Sequence, residues 1–276
     1  MPSFLRGLRQ LSVLGTIGLV ITLIIVTLVM IGPLIQTHDP EQISNDTFQA
    51  PSLDHWFGTD NYGRDYYSRT LGGGRITLAI SLASVIIGTT VGVTLGMCSA
   101  YLRGMFDMFF QRLVDTMLAL PGLILAMFFV TIFGRGVSNL ILVIGLLVIP
   151  GMIRVSRAST LLILTKPYIE SGRVVGASAP RLLLRHVLPN IAPTIAVIVT
   201  TAIGSLMLVT AGLGFLGLGV QPPTSEWGRM LADSRTYAVT APWLALYPGL
   251  LISFTVIGVN LLGDSLRDKW DPSLRS

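Results

Sequence analysis

Six long runs without charged residues constrain the fold of this chain more than any other feature of its sequence. The runs lie at 11–35, 76–100, 116–133, 137–153, 191–219 and 243–263. A helix that crosses a hydrocarbon core of about 30 Å needs roughly 20 apolar residues, so each run is a candidate span. Only 12% of the residues are charged, which excludes a water-soluble enzyme and a disordered chain. The sequence therefore predicts an all-α, polytopic membrane protein with six transmembrane helices.

Basic residues predict the orientation of these spans, because Lys and Arg are retained in cytoplasmic loops. With spans that alternate in direction, 13 basic residues fall on one side of the membrane and 6 on the other. The side with more basic residues holds residues 1–10, the loop 154–190 and residues 267–276. These three segments are predicted to be cytoplasmic, and the acidic segment 36–75 is predicted to be extracytoplasmic. The second to sixth spans form a core over residues 76–266.

Two other interpretations of the basic and apolar patterns are less favoured. The first apolar run, 11–35, is too long for the apolar region of a secretory signal, and no A-x-A cleavage site follows it. It is interpreted as a retained first span. The net charge of +5 does not indicate nucleic acid, since the basic residues adjoin spans and set their topology. Lipid is the expected surrounding, and no nucleic-acid partner is expected.

The chain lacks the residue patterns of common catalytic and metal sites. Its three histidines, His38, His55 and His186, show no HExxH spacing, and its single cysteine cannot form a cysteine cluster. There is no GxSxG nucleophile elbow, and Lys166 and Lys269 do not belong to a phosphate-binding loop. No catalytic, cofactor or metal site is therefore predicted. Any ATP energy has to come from another chain.

Ionisable residues at mid-membrane depth are typical of proton-coupled carriers, and the six predicted spans have none there. A stand-alone channel or secondary carrier is therefore a remote alternative, and an intramembrane enzyme is less favoured still. The second span carries Gly88, Gly92, Gly96 and Ala100 at intervals of four residues. This stripe predicts close packing against another helix.

The predicted cytoplasmic loop 154–190 is unusually long and basic. Pro167 and Glu170 predict a short helix, because proline suits a first turn and an acidic side chain complements the helix dipole there. Gly176 permits the chain to turn sharply after this helix. A second helix is expected from Ser178 to Val187, and Pro189 is expected to end it. The residues alone leave two interpretations open, a helix that docks on a partner and a helix that docks on lipid headgroups.

This loop resembles the EAA motif of ATP-binding-cassette (ABC) importer permeases. Four positions match the fixed spacing of that motif: Glu170, Gly176, Leu188 and Pro189. Ser171 and Gly172 replace its two alanines, and His186 occupies a position that is usually aliphatic. Further stretches are similar to the C-type permease of dipeptide, oligopeptide and nickel importers, at 55–60, 63–65, 214–219, 222–223, 226–228, 263–268 and 271–272. The resemblance covers nearly the whole chain.

The resemblance implies a type I importer permease fold, a bacterial plasma membrane location and a non-catalytic role. The helix with the motif would dock in a cleft of a cytoplasmic ATPase through Glu170, Ser171, Gly172, Arg173, Gly176, Ala177 and Ser178. Implied partners are a homologous second permease, two ATPases that hold ATP and magnesium, and an extracytoplasmic substrate-binding protein. Short peptides are the favoured cargo, and nickel, a metal chelate or glutathione is the alternative.

Overall fold

A computed structural model describes residues 12–270, which fold into helices with no strand among them. The helices are α1 (Val13–Met30), α2 (Gly32–Ile35), α3 (Tyr66–Leu102), α4 (Gly104–Leu118), α5 (Gly122–Phe133), α6 (Val137–Leu164), α7 (Pro167–Val174), α8 (Ala179–Leu182), α9 (Leu188–Phe215), α10 (Trp227–Ser234) and α11 (Trp243–Trp270). A π-helical turn, Leu183–Val187, joins α8 to α9. The predicted N-terminal segment 1–10 and residues 271–276 lie outside the described residues.

Within residues 12–270, five continuous helical stretches are long and apolar enough to cross a membrane, and they contain α1, α3, α6, α9 and α11. The bent pair α4 and α5 provides a sixth crossing if it is taken as one span. The prediction of an all-α, multi-pass membrane fold is therefore confirmed.

The third span differs from the prediction of one helix over 116–133. The chain breaks after Leu118, and α4 and α5 meet at 101°. Pro121 explains the break, because proline removes a backbone N–H and disfavours helical geometry in the residue before it. The 12 residues of α5 span only about 18 Å, less than the hydrocarbon thickness.

The longest helix, α3, packs along α6 through its stripe of small residues. A Cβ atom on Gly88 would lie 2.5 Å from the carbonyl oxygen of Gly145, and one on Gly92 would lie 2.5 Å from Cβ of Met152. Gly96 is equally close to the next turn of α6. The predicted close helix packing is confirmed, and the pair forms much of the main hydrophobic core.

A second core surrounds Trp227, which is fully buried at the start of α10. The same buried cluster contains Val29 of α1, Met207 of α9 and Leu244 of α11. The indole Nε1 donates a hydrogen bond to the carbonyl oxygen of Thr70 in α3 at 2.8 Å. The short helix α10 therefore joins four of the long helices at one end of the molecule.

Two predictions for the loop 154–190 need correction. The helix α6 continues to Leu164, so the first part of the predicted loop belongs to a long helix. Pro189 does not break the following helix, because the chain is continuously helical from Ala179 to Phe215. The π-helical turn precedes Pro189 and places it in the first turn of α9, where its missing N–H costs little.

Candidate functional site

The short helix α7 is the helix predicted around Glu170, which lies exposed in its first turn. The helix ends at Val174, and Gly176, two residues later, has a φ of +84°. The N–H of Gly176 donates to the carbonyl of Arg173 and the N–H of Ala177 donates to that of Gly172, both at 2.9 Å. This pair of bonds is a Schellman ending, which favours glycine at the left-handed position. We call residues 167–178 the coupling segment.

One face of the coupling segment is anchored in the main core. Ile169 is 1% exposed and belongs to the same buried cluster as Leu164 and Val187. A Cβ atom on Gly172 would lie 3.1 Å from Cδ2 of Leu182. The small size of Gly172 therefore accommodates α8 of the same chain.

The opposite face of the coupling segment is open. Val174 and Val175 are 83% and 87% exposed, and Tyr168 is also exposed. Of the seven predicted docking residues, Glu170, Ser171, Arg173, Gly176 and Ser178 are exposed, and Gly172 and Ala177 are half-buried. The structure thus brings the predicted residues together on one short helix and its exit, beside exposed apolar side chains.

One cation–π contact attaches the coupling segment to α3, and a nearby ion pair joins α6 to α4. The guanidinium of Arg173 lies 5.6 Å from the ring centroid of Tyr101, near the end of α3. Arg157 of α6 forms two hydrogen bonds of 2.6 Å with the carboxylate of Asp107 in α4. Arg173 thus joins the segment to α3, Ile169 anchors it in the main core, and Arg157 holds α6 against α4. The arrangement is suited to transmitting a displacement, and it contains no nucleophile with an adjacent base.

At the other end of α9 lies a polar cavity of about 840 Å³. Four arginines line it, Arg64, Arg69, Arg229 and Arg235, with Asp233 as the only acidic residue among its described lining residues. Sequence analysis did not identify this site, because the arginines come from two segments that meet only in the fold. Asp60 contacts Arg64 and Arg69, and Asp233 contacts Arg229, so the cavity keeps a reduced excess of positive charge, which favours anionic groups.

A buried carboxylate supports the wall of this cavity. Glu226 is fully buried and accepts hydrogen bonds from the N–H groups of Gly228 and Arg229 and from the hydroxyl of Thr77, each at 2.9 Å. Burial raises the pKa of the Glu226 carboxyl, and these hydrogen bonds oppose the rise. Glu226 thus fixes the start of α10 against α3.

Comparison with known proteins defines the class of this chain. Residues 88–276 match the family described as binding-protein-dependent transport system inner membrane component. The chain belongs to this family of ABC importer permeases, and within it to the C type of peptide and nickel systems. The predicted resemblance is confirmed, and the chain is a multi-pass inner-membrane permease subunit of a non-catalytic kind.

Individual relatives are similar over almost their whole length. The chain is 40% identical over 274 residues to the glutathione transport system permease protein GsiD of Escherichia coli O157:H7. The same identity is found with GsiD of Shigella sonnei (strain Ss046). Each match covers 99% of this chain and 90% of the relative.

Proposed function

We propose that this permease subunit forms half of a translocation path for short peptides, and that its coupling segment receives movement from a cytoplasmic ATPase. The observation that carries the proposal is the two-sided coupling segment. Its outer face exposes Val174 and Val175, while Ile169 fixes its inner face to the spans. A partner that moves the outer face would therefore move α6 and α9 as rigid bodies.

The proposed assembly contains a homologous second permease, two ATPase subunits and an extracytoplasmic substrate-binding protein. ATP and magnesium would bind in the ATPases, and this chain would need no cofactor. The charge count of 13 basic residues against 6 supports cytoplasmic termini and a cytoplasmic coupling segment. This orientation places the arginine-lined cavity on the side from which a binding protein would deliver cargo.

The cavity supports peptides over a free metal cation as the cargo. Asp60 and Asp233 balance two of the four arginine charges, and the remaining positive charge would attract the carboxylates of a peptide more than an ion such as Ni²⁺. The GsiD relatives are named for glutathione, which is itself a short peptide with free carboxylates. Glutathione is therefore the alternative cargo that we rank directly beside dipeptides and oligopeptides.

Docking of the coupling segment is tested by reversing the charge of Glu170. Glu170→Lys places a cation at the positive end of the α7 dipole and changes the exposed face. We expect the variant to insert and to pair with the second permease, but to lose the ATPase subunits on co-purification. Arg112→Glu is the matched control, because it reverses an exposed charge outside the coupling segment. Full retention of the ATPases by Glu170→Lys would reject docking at this residue.

Cargo is tested in the assembled importer with radiolabelled glutathione, a dipeptide and ⁶³Ni²⁺. The proposal expects ATP-dependent uptake of a peptide or glutathione, and a slower rate in Arg235→Gln, whose side chain lines the cavity and stacks on Phe215 at 5.1 Å. Uptake of nickel alone, unaffected by Arg235→Gln, would contradict the peptide assignment.

A further inference from the structure

Two histidines and one aspartate converge at the end of the molecule that carries the arginine-lined cavity. His38 follows α2, His55 lies in the loop before α3, and Asp65 caps the start of α3. One ligand atom from each of the three side chains lies within 4.8 Å of the other two. The fold thus brings together three metal-binding side chains that the sequence keeps apart.

Both imidazole rings face the same carboxylate oxygen. Nδ1 of His55 lies 2.8 Å and Nδ1 of His38 lies 3.8 Å from Oδ1 of Asp65. Ligand atoms around a tetrahedral zinc ion, with bonds of about 2.0–2.1 Å, are separated by about 3.4 Å. The two distances above lie on either side of this value. Small side-chain rotations are therefore enough to form a coordination sphere.

The second oxygen of Asp65 is held by other groups, which orients the carboxylate. Oδ2 accepts hydrogen bonds from the N–H and the hydroxyl of Ser68, at 2.8 and 2.7 Å, and from the hydroxyl of Thr37 at 3.3 Å. Supporting contacts of this kind fix metal ligands and strengthen binding. The Asp65 side chain is fully buried while that of His38 is 41% exposed, which gives a hydrated ion a route to the ligands.

His38 and His55 contact different partners near the carboxylate of Asp65. Nδ1 of His55 is within hydrogen-bonding distance of Oδ1 of Asp65, whereas Nδ1 of His38 is too far from that oxygen and lies 3.1 Å from the hydroxyl of Thr37. Asp60 contacts both Arg64 and Arg69, at 2.7 and 3.5 Å, and balances part of their positive charge. The two imidazoles and the carboxylate are thus close enough to share one ion, which would replace the contact of His38 with Thr37.

We propose that His38, His55 and Asp65 bind a divalent transition metal ion, with Zn²⁺ as the representative ion and water in the remaining position. Two imidazole nitrogens and one carboxylate oxygen suit zinc and its neighbours in the transition series. The ion would tie the segment that follows the first span to the start of α3. This site departs from the sequence-based expectation of a chain without metal ligands, and it is independent of the cargo.

The test uses the full-length chain in lipid nanodiscs, purified with a tag that contains no histidine and stripped with a chelator. Zn²⁺ is titrated by calorimetry, and bound zinc is quantified after dialysis. We expect one zinc per chain and a melting temperature that rises with zinc. His38→Gln should lower the zinc affinity at least about tenfold, since even supporting residues contribute 10–100-fold. His186→Gln is the matched control, because that histidine lies beyond the coupling segment at the other end of α9.

His38→Cys separates coordination from a structural role, because cysteine keeps a metal ligand while removing the imidazole. We expect this variant to retain zinc binding and to show a thiolate-to-metal absorption band when loaded with Co²⁺. No zinc binding by the unaltered chain would overturn the proposal. Equal affinities for the unaltered chain and His38→Gln would also overturn it. His38 is exposed, so its replacement tests binding without removing the Asp65 cap of α3.

Discussion

Two positions of the coupling segment favour glycine for different reasons. Gly176 adopts a φ of +84°. Its position just after a predicted helix was sufficient to predict that the chain turns sharply there. Gly172 faces Leu182, a contact that sequence analysis could not predict because it depends on where α8 folds back. Local backbone requirements can thus be predicted from the sequence, whereas the residues that a position contacts are set by elements that fold against it.

Enlarging these glycines should have separable effects. Gly172→Leu places a large side chain against Leu182, and such overpacking costs about 1–3 kcal/mol. Gly176→Ala meets no atom within 4 Å, so its cost is only the left-handed backbone, about 1–2 kcal/mol. Thermal unfolding in detergent measures both, with exposed Ser171→Ala as a neutral control. An unchanged melting temperature for Gly172→Leu would show that the contact with Leu182 is not made.

Glu226 should make stability depend on pH. Its pKa is raised by burial, so the folded state binds a proton more tightly than the unfolded state. The contribution of Glu226 to stability is therefore greatest below the ordinary glutamate pKa. It falls as pH rises from there through the raised folded-state pKa. Melting temperatures measured from pH 4 upward should decline for the unaltered chain relative to Glu226→Gln. A difference between the two that does not change with pH would contradict this.

At the scale of elements, two prolines that look alike in the sequence have different effects on the helices. Pro121 ends helical structure and turns the third span into two helices, α4 and α5, at 101°. Pro189 lies in the first turn of α9 and interrupts nothing, because the π-helical turn Leu183–Val187 precedes it. The long uncharged runs predicted the existence of the spans, but hydropathy did not distinguish these two proline environments.

The ion pairs between α4 and α6 provide a test of the contact between these two helices. Asp107→Asn should lower the melting temperature more than Asp115→Asn does. Asp107 makes two hydrogen bonds to Arg157 and its side chain is 18% exposed, whereas Asp115 pairs with Arg154 at 53% exposure. Exposed pairs contribute about 0–1 kcal/mol, and partly buried pairs contribute more. Equal effects of the two substitutions would contradict the bracing role of Asp107.

At the scale of the whole molecule, the coupling segment and the arginine-lined cavity occupy opposite ends of α9. The sequence predicted the fold class, the spans other than the third and the short helix around Glu170, because charge gaps and proline or glycine positions are local signals. It could not predict which apolar faces meet lipid and which meet a second permease. Leu82 on α3 and Phe128 on α5 are both more than half exposed, and their chemistry is the same in either environment.

The orientation of the whole molecule is tested with single cysteines in a Cys98→Ala background, since the sequence contains one cysteine. An impermeant maleimide should label Asp46→Cys in intact cells. It should label Val174→Cys only after the inner membrane is opened, because the coupling segment is cytoplasmic in the proposed topology. Both positions are exposed, so accessibility does not bias the comparison. The reverse labelling pattern would reject the orientation drawn from the basic residues.

The central claim is that this chain is a non-catalytic permease subunit that works only with ATPase partners. The most direct measurement is uptake of radiolabelled glutathione or dipeptide into proteoliposomes, with the substrate-binding protein and ATP supplied on their proper sides. The account predicts uptake when this chain, a second permease and the ATPases are all present, and none with this chain alone. Comparable uptake by this chain alone, without ATP, would contradict the account and favour a channel or secondary carrier.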